Sequence, residues 1–272
     1  MRIVMKFPGG LSKALTLSYD DGVFQDLRLT DILRRHGLSA TFNINSGRIA
    51  QTDAEKKGVM SKEQMMAAYK GFEVAAHSLT HPFLEQLPTS VVIDEIMQDR
   101  KNIENIFGGI CTGFAYPYGR FSDGVVDALK MCGIKYARTV NSTNGFNLPT
   151  DWLTLNPTCH HNNPRLFELL NSFLSIENKP DSPPRMFYLW GHSYEFDDDN
   201  NWEIIEKFAD LASGKEDIWY ATNSEICNYV LSFNSLQFSA DKATVFNPTS
   251  TTLYFSADKK LIEIKPGETK LL

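Results

Sequence analysis

Two adjacent aspartates, Asp20 and Asp21, and a later pair of histidines, His77 and His81, are the residues of this chain best suited to chemistry. The histidines stand four apart in His77-Ser78-Leu79-Thr80-His81, a spacing that on a helical turn lays both rings over one face. One carboxylate with two imidazoles makes a three-ligand metal site that keeps positions open for water and substrate. That is the pattern of a catalytic rather than a structural ion. The other carboxylate, one residue away, cannot share the same geometry and is left as a base for metal-activated water. The residues alone do not say which aspartate takes which role. An aspartate pair before Gly22 would by itself read as a turn, but a turn leaves the two histidines unexplained.

These residues lie far apart in the chain, so a scaffold must gather them. Short β-branched or aromatic runs predict strands over 14–19, 40–43, 72–76, 112–116, 134–139, 152–155, 186–190 and 217–221. Helical patterns fall between them: 27–36 stops at Gly37, Ser61-Lys62-Glu63-Gln64 reads as a capping box, and 90–107, 122–132, 165–176 and 202–211 each carry an apolar stripe. Strand and helix alternating in this way predict an α/β fold with a parallel sheet closed into a (β/α) barrel. All strand C-termini of such a barrel open on one face. Asp20, Asp21, His77, Tyr118, Arg138, His160, His161 and His192 all lie at or just beyond a predicted strand end. After about residue 231 the pattern turns to short alternating strands around Gln237, Val245, Leu253 and Ile262. Some forty residues make a poor independent core, so the expectation is a barrel over 1–230 and a small β appendage over 231–272 packed on it.

Composition narrows the function. A formal charge of -6 with no basic, aromatic-laced cluster excludes nucleic acid as the expected partner. Cys111, Cys132, Cys159 and Cys227 lack C-x-x-C pairing and read as buried thiols of a reducing compartment. No stretch reaches the roughly 18 apolar residues of a membrane span, and none resembles a secretory leader, so a cytoplasmic location is expected.

Four motifs then acquire a common meaning. Ser18-Tyr19-Asp20-Asp21-Gly22, His77-Ser78-Leu79-Thr80-His81, Ala115-Tyr116-Pro117-Tyr118-Gly119 and Leu189-Trp190-Gly191-His192 resemble, in order and spacing, those of the polysaccharide deacetylases, the NodB-homology enzymes or family 4 carbohydrate esterases. The resemblance covers roughly residues 13–230. It implies a distorted (β/α) barrel of seven or eight strands and hydrolysis of N- or O-acetyl groups on sugars. By position it makes Asp20 the base, Asp21, His77 and His81 the ligands of a divalent metal, His192 the acid and the Tyr118 N–H an oxyanion donor. Zinc is the first expectation for the metal, with cobalt or nickel as alternatives. The partner implied is an acetylated carbohydrate. Many members carry arginine where this chain has Ala115, to orient the base; Arg138, on the next predicted strand, is the expected surrogate. Trp190, His160 and His161, with the Tyr118 ring, are candidate sugar contacts.

Other readings are weighed beside this one. The same centre could open other non-peptide amides of the cyclic imide or ureide type. A 2-His-1-carboxylate set also suits a non-haem iron oxygenase, although Asp20 and His192 favour hydrolysis. The missing arginine keeps a catalytically weak carbohydrate-binding protein in view.

Overall fold

The computed structural model describes all 272 residues. Its frame is built on β2 (Lys13–Asp20), which follows a short strand β1 (Ile3–Lys6) and is buried along its whole length. Side chains alternate along a strand, and here the two faces differ in kind. Leu15, Leu17 and Tyr19 enter the apolar layer shared with the helices. Thr16, Ser18 and Asp20 form a polar row opposite, bonded to Asn223, Tyr188 and Asn43 respectively. A strand covered on both faces and polar on one belongs in a barrel whose interior leads to a site.

The chain continues through α1 (Asp26–Arg35), β3 (Ala40–Ile44), α2 (Lys62–Ala68), β4 (Glu73–Ala76), α3 (Thr89–Phe107), β5 (Gly113–Ala115), α4 (Asp123–Met131) and β6 (Tyr136–Arg138). Then come β7 (Cys159–His160), α5 (Leu166–Leu174), β8 (Arg185–Gly191), α6 (Glu195–Asp198), α7 (Glu203–Ala212), β9 (Ile218–Tyr220) and α8 (Asn223–Asn234). The sheet is parallel, in the order β6-β5-β4-β3-β2-β8-β7, with β9 paired to the start of β2. The eight strands curl toward closure. Leu155 bridges Arg138 of β6, and a few residues on Cys159 pairs with Leu189 of β8, so one short stretch spans both sheet edges. This is the expected distorted (β/α) barrel.

Two elements differ from expectation. Residues 152–155 are not a strand: Trp152–Thr154 forms a 3-10 turn because the Asp151 carboxylate accepts the Leu153 N–H at 2.9 Å, a local bond that competes with the sheet ladder. The strand at this place is the two-residue β7. Helix α8 had no counterpart in the sequence reading, although Thr222 and Glu225 close a capping box at its start.

The C-terminal strands β10 (Gln237–Phe238), β11 (Thr244–Phe246), β12 (Leu253–Ala257), β13 (Lys260–Ile264) and β14 (Thr269–Leu271) make two three-stranded antiparallel sheets. One of them includes β1, paired from Ile3 against Ala257 to Lys6 against Tyr254. The first residues of the chain thus lie with the last rather than in the barrel. Tyr229 of α8 ties the two together, its hydroxyl donating to the Lys6 carbonyl at 2.7 Å and accepting the Tyr254 N–H at 3.0 Å. Leu253, Phe255 and Ile262 share one apolar cluster with Met186, Tyr188 and Ile226, so the strands borrow the barrel's core. No helix is long and apolar enough to cross a membrane.

Candidate active site

The site begins where β2 ends. Asp21 has φ 78° and Gly22 φ 62°, and the chain turns so tightly that a Cβ on Gly22 would stand 2.6 Å from the Met65 methyl. The turn sends Asp20 into the barrel and Asp21 toward the mouth. The loop after β4 is as sharply bent. The expected helical turn over 77–81 is absent: Ser78 and His81 are both left-handed, with φ 64°, and the two rings meet edge to face at 4.7 Å. Each such non-glycine residue costs on the order of 1–3 kcal/mol and persists only where its surroundings fix it. Here Asp99 of α3 accepts the His77 N–H at 3.0 Å and the Ser46 N–H at 2.7 Å. The Asn45 amide donates to the Ser78 carbonyl at 2.9 Å, and Ser78 Oγ accepts the His81 N–H at 3.1 Å. Burial pushes the Asp99 carboxyl up to about 7 despite these donors.

The donor set fits a cation. His77 Nδ1–H donates to the Ala115 carbonyl at 2.8 Å, which fixes the tautomer and leaves the Nε2 lone pair facing the site. His81 Nε2 lies 3.9 Å from Asp21 Oδ1, and one ligand atom from each of Asp21, His77 and His81 falls within 4.8 Å of the others. Burial, and for His81 the neighbouring His77 as well, lowers both imidazole pKa values, to about 4 for His81. Both rings are therefore neutral near pH 7. Asp21 Oδ1 is buried without a hydrogen-bond partner.

Asp20 contrasts with its neighbour because both of its oxygens are engaged. Oδ1 accepts the Asn43 amide at 2.8 Å, and Oδ2 accepts Arg138 Nη2. His77 Nε2 and His192 Nε2 stand 3.9 and 3.8 Å from Oδ2. Burial alone would push this carboxyl up. Arg138, the two histidines and the Asn43 bond instead hold it well below the usual carboxylate range. Arg138 reaches it from β6, where it pairs in register with Ala115 of β5, and its guanidinium lies 4.4 Å from the Trp190 ring centre.

His192 closes the opposite wall. Its Nε2 faces Asp20 and its Nδ1 lies 3.4 Å from Glu195 Oε1. Burial works against its charge, but Glu195 and then Asp20 outweigh it and raise the pKa above the ordinary value. Glu195 Oε2 also lies 3.1 Å from both His160 Nε2 and His161 Nε2, and these partners hold the glutamate ionised against its burial. His160, His192 and Glu195 are close enough to hold a second ion. The tautomer argues otherwise: His160 Nδ1 accepts the Asn162 N–H at 3.2 Å, so its Nε2 carries the proton and has no lone pair to offer an ion.

Two residues expected as sugar contacts lie deeper than that role needs. His161 is 1% exposed, stacked on Phe196 at 4.2 Å. Trp190 is 8% exposed, with Arg138 over its ring. A barrel strand end buries the side chain that points inward, which sequence position alone does not reveal. His160 is half-buried, and the Tyr118 ring is exposed at the rim. Gly191 belongs to this packing, since a Cβ there would stand 2.0 Å from His161 Nδ1. Gly191→Ala should therefore destabilise the fold by about 1–3 kcal/mol, checked as a lowered denaturant midpoint. Asn43 and Asp99 carry no signal of type or spacing, and Glu195, three residues after His192, reads from the sequence only as organising the loop there, with no part in the chemistry.

Comparison with known proteins gives this geometry a context. Residues 9–137 match the family model described as polysaccharide deacetylase. YxkH of Bacillus subtilis (strain 168), a polysaccharide deacetylase by name, is 23% identical over 130 residues, which are 47% of this chain and 44% of that protein. The chain thus spans less than half the length of this curated relative. Among solved structures, a polysaccharide deacetylase by name from Mycobacterium smegmatis aligns with TM-score 0.64 at 15% identity, covering 85% of this chain and 94% of that one. A family 4 carbohydrate esterase from Streptomyces lividans, solved with acetate, aligns with TM-score 0.51 at 19% identity, covering 78% and 93%. At such identities the structural likeness is one of fold. Residues 9–137 are thus similar in sequence to the polysaccharide deacetylases, and over most of its length the chain shares the fold of solved proteins of that name.

Proposed function

We propose that the chain is a metal-dependent hydrolase that removes acetyl groups from N-acetylated, or O-acetylated, sugars and their oligomers or polymers. The observation that carries this reading is the division between the two aspartates. Asp21 keeps a bare, buried oxygen beside two neutral imidazoles, while Asp20 is held ionised next to them with both oxygens engaged. Asp21, His77 and His81 would hold the ion, zinc before cobalt or nickel. When bound, such an ion supplies Lewis acidity and brings the pKa of water toward roughly 7.

The remaining roles fall to the chain's own groups. Asp20 accepts the proton of the attacking water, and Arg138 keeps its carboxylate ionised and oriented. The Tyr118 N–H donates to the acetyl oxygen as that atom takes negative charge. An amide nitrogen leaves poorly until it is protonated, and His192 Nε2, facing the site, delivers that proton. Glu195, through Nδ1, keeps the ring turned and charged. Glu195→Gln removes the charge that raises the His192 pKa. Activity that needs protonated His192 is lost as pH rises through that pKa, so the alkaline limb of the pH–rate profile should move to lower pH. An unmoved limb would count against this role.

Arg138 beside Asp20 supports an active enzyme over a carbohydrate-binding protein without turnover, because it places a cation on the base despite Ala115. The direct test is acetate release from chitin, peptidoglycan and xylan fragments by zinc-loaded and chelator-stripped protein, with ring-opening of cyclic imides and ureides run in parallel. Metal-dependent acetate release is expected. If the loaded protein releases none while it opens the cyclic amides, the alternative substrate class replaces this one.

A further inference from the structure

Beside the site, two loops from different strands meet through side chains that neither the core nor the proposed chemistry accounts for. Phe83 stacks on Tyr118 with ring centres 4.1 Å apart and planes 20° from parallel. Tyr118 in turn meets the His81 ring edge to face at 4.4 Å. On the outer side, the Arg120 guanidinium lies 5.3 Å from the Phe83 ring centre and its Nε pairs with Glu85 at 2.9 Å. The result is a column running from Arg120 through Phe83 and Tyr118 to His81. Every contact in it crosses between the loop after β4, which carries His81, Phe83 and Glu85, and the loop after β5, which carries Tyr118 and Arg120.

Burial does not explain the column, for Phe83 is 38% and Tyr118 52% exposed. Sugar stacking does not explain it either, because Phe83 already occupies one face of the tyrosine. What the two loops share is a demanding backbone: His81 has φ 64° and Tyr118 φ 57°. Each of these left-handed residues presents a group to the site, the His81 imidazole from one loop and the Tyr118 peptide from the other. Offset stacks and edge-to-face contacts are directional, so the column fixes the separation of the two groups.

We infer that Phe83, backed by Arg120, is a positioning residue that seats the metal ligand His81 and holds the Tyr118 peptide in register with it. This rests on the proposed metal site. It assigns the Tyr118 ring to the architecture of the site rather than to a stacking platform on the face that Phe83 covers.

The test compares the full-length parent with Phe83→Ala, Phe83→Leu and Phe83→Trp. Zinc affinity is read by chelator competition, the visible spectrum is recorded with cobalt bound, and thermal midpoints and acetate-release kinetics are measured alongside. Phe83→Ala and Phe83→Leu should bind zinc about tenfold or more weakly, as for loss of groups that orient a ligand histidine, with an altered cobalt spectrum. Their thermal midpoints without metal should match the parent's. Their kcat should fall more than KM rises, and Phe83→Trp should restore affinity, spectrum and rate. Parent-like zinc affinity and cobalt spectrum in Phe83→Ala and Phe83→Leu overturn the inference alone. So does a loss of affinity in all three variants that only follows a lowered midpoint. A parent chain that takes up no zinc overturns both this inference and the proposed metal site.

Discussion

Asp20→Asn should leave metal binding nearly intact and reduce turnover by about 10²–10⁴, the usual contribution of a positioned general base. Asp21→Asn should instead lose the metal, and with it activity. The contrast follows from what surrounds each oxygen. Asp20 Oδ1 and Oδ2 already accept from Asn43 and Arg138, and an asparagine there keeps the shape but cannot accept a proton. Asp21 Oδ1 has no partner within the chain and lies 3.9 Å from His81 Nε2, so its charge is left for an ion. Metal content by elemental analysis, beside acetate-release rates, separates the two variants. Loss of metal from Asp20→Asn with retention in Asp21→Asn would reverse the assignment and with it the proposed base.

Arg138→Met should be costly to both activity and stability. Removing one partner of a buried ion pair typically costs about 3–5 kcal/mol because the remaining charge is stranded. Asp26 shows what a buried carboxyl in this barrel does without a cation beside it. Burial carries it up to about 7 although Ser193 and Tyr69 both donate to it. Without Arg138, Asp20 should rise in the same direction. A base must be ionised, and activity is lost as pH falls through its pKa, so the acid limb of the pH–rate profile moves to higher pH. Stability changes sign as well. In the parent, the depressed Asp20 pKa contributes stability above the unfolded value of about 3.9, lost as pH falls through the folded pKa. In the variant a raised folded pKa makes stability fall as pH rises past the unfolded value. The gap between parent and variant should thus widen from acid toward neutral pH, measurable as denaturant midpoints across that range. An unshifted acid limb with near-normal turnover would leave Arg138 a structural cation only.

The barrel was legible because its signals are local. β-Branched runs at strand length, amphipathic stripes between them, and Gly37 or the Ser61 cap at helix ends each act within a few residues. The misreadings came where a local bond competed with the sheet. Asp151 curls 152–154 into a turn, and Thr222 caps a helix whose apolar face is weakly marked. The span expected for the barrel began at residue 1, with no strand before residue 14; the structure adds β1. Its partner, β12, lies some 250 residues away, and pairing at that distance leaves no trace in spacing.

What the sequence by itself determined is the inventory: an aspartate pair, a histidine pair and a later histidine, each at the C-terminal end of a strand, on a scaffold that must open those ends to one side. Only the tertiary structure decided how the inventory divides. Asp20 turns inward to Arg138 and Asn43 while Asp21 turns outward with an empty oxygen. His81 reaches its partners through a left-handed backbone rather than a helical turn, and Glu195 gathers three imidazoles, one of which, His161, lies sealed in the core. Residue type and spacing specify which groups can ionise or ligate. Burial and the neighbour across the barrel decide which of them do, because both depend on contacts between segments that the chain order keeps apart.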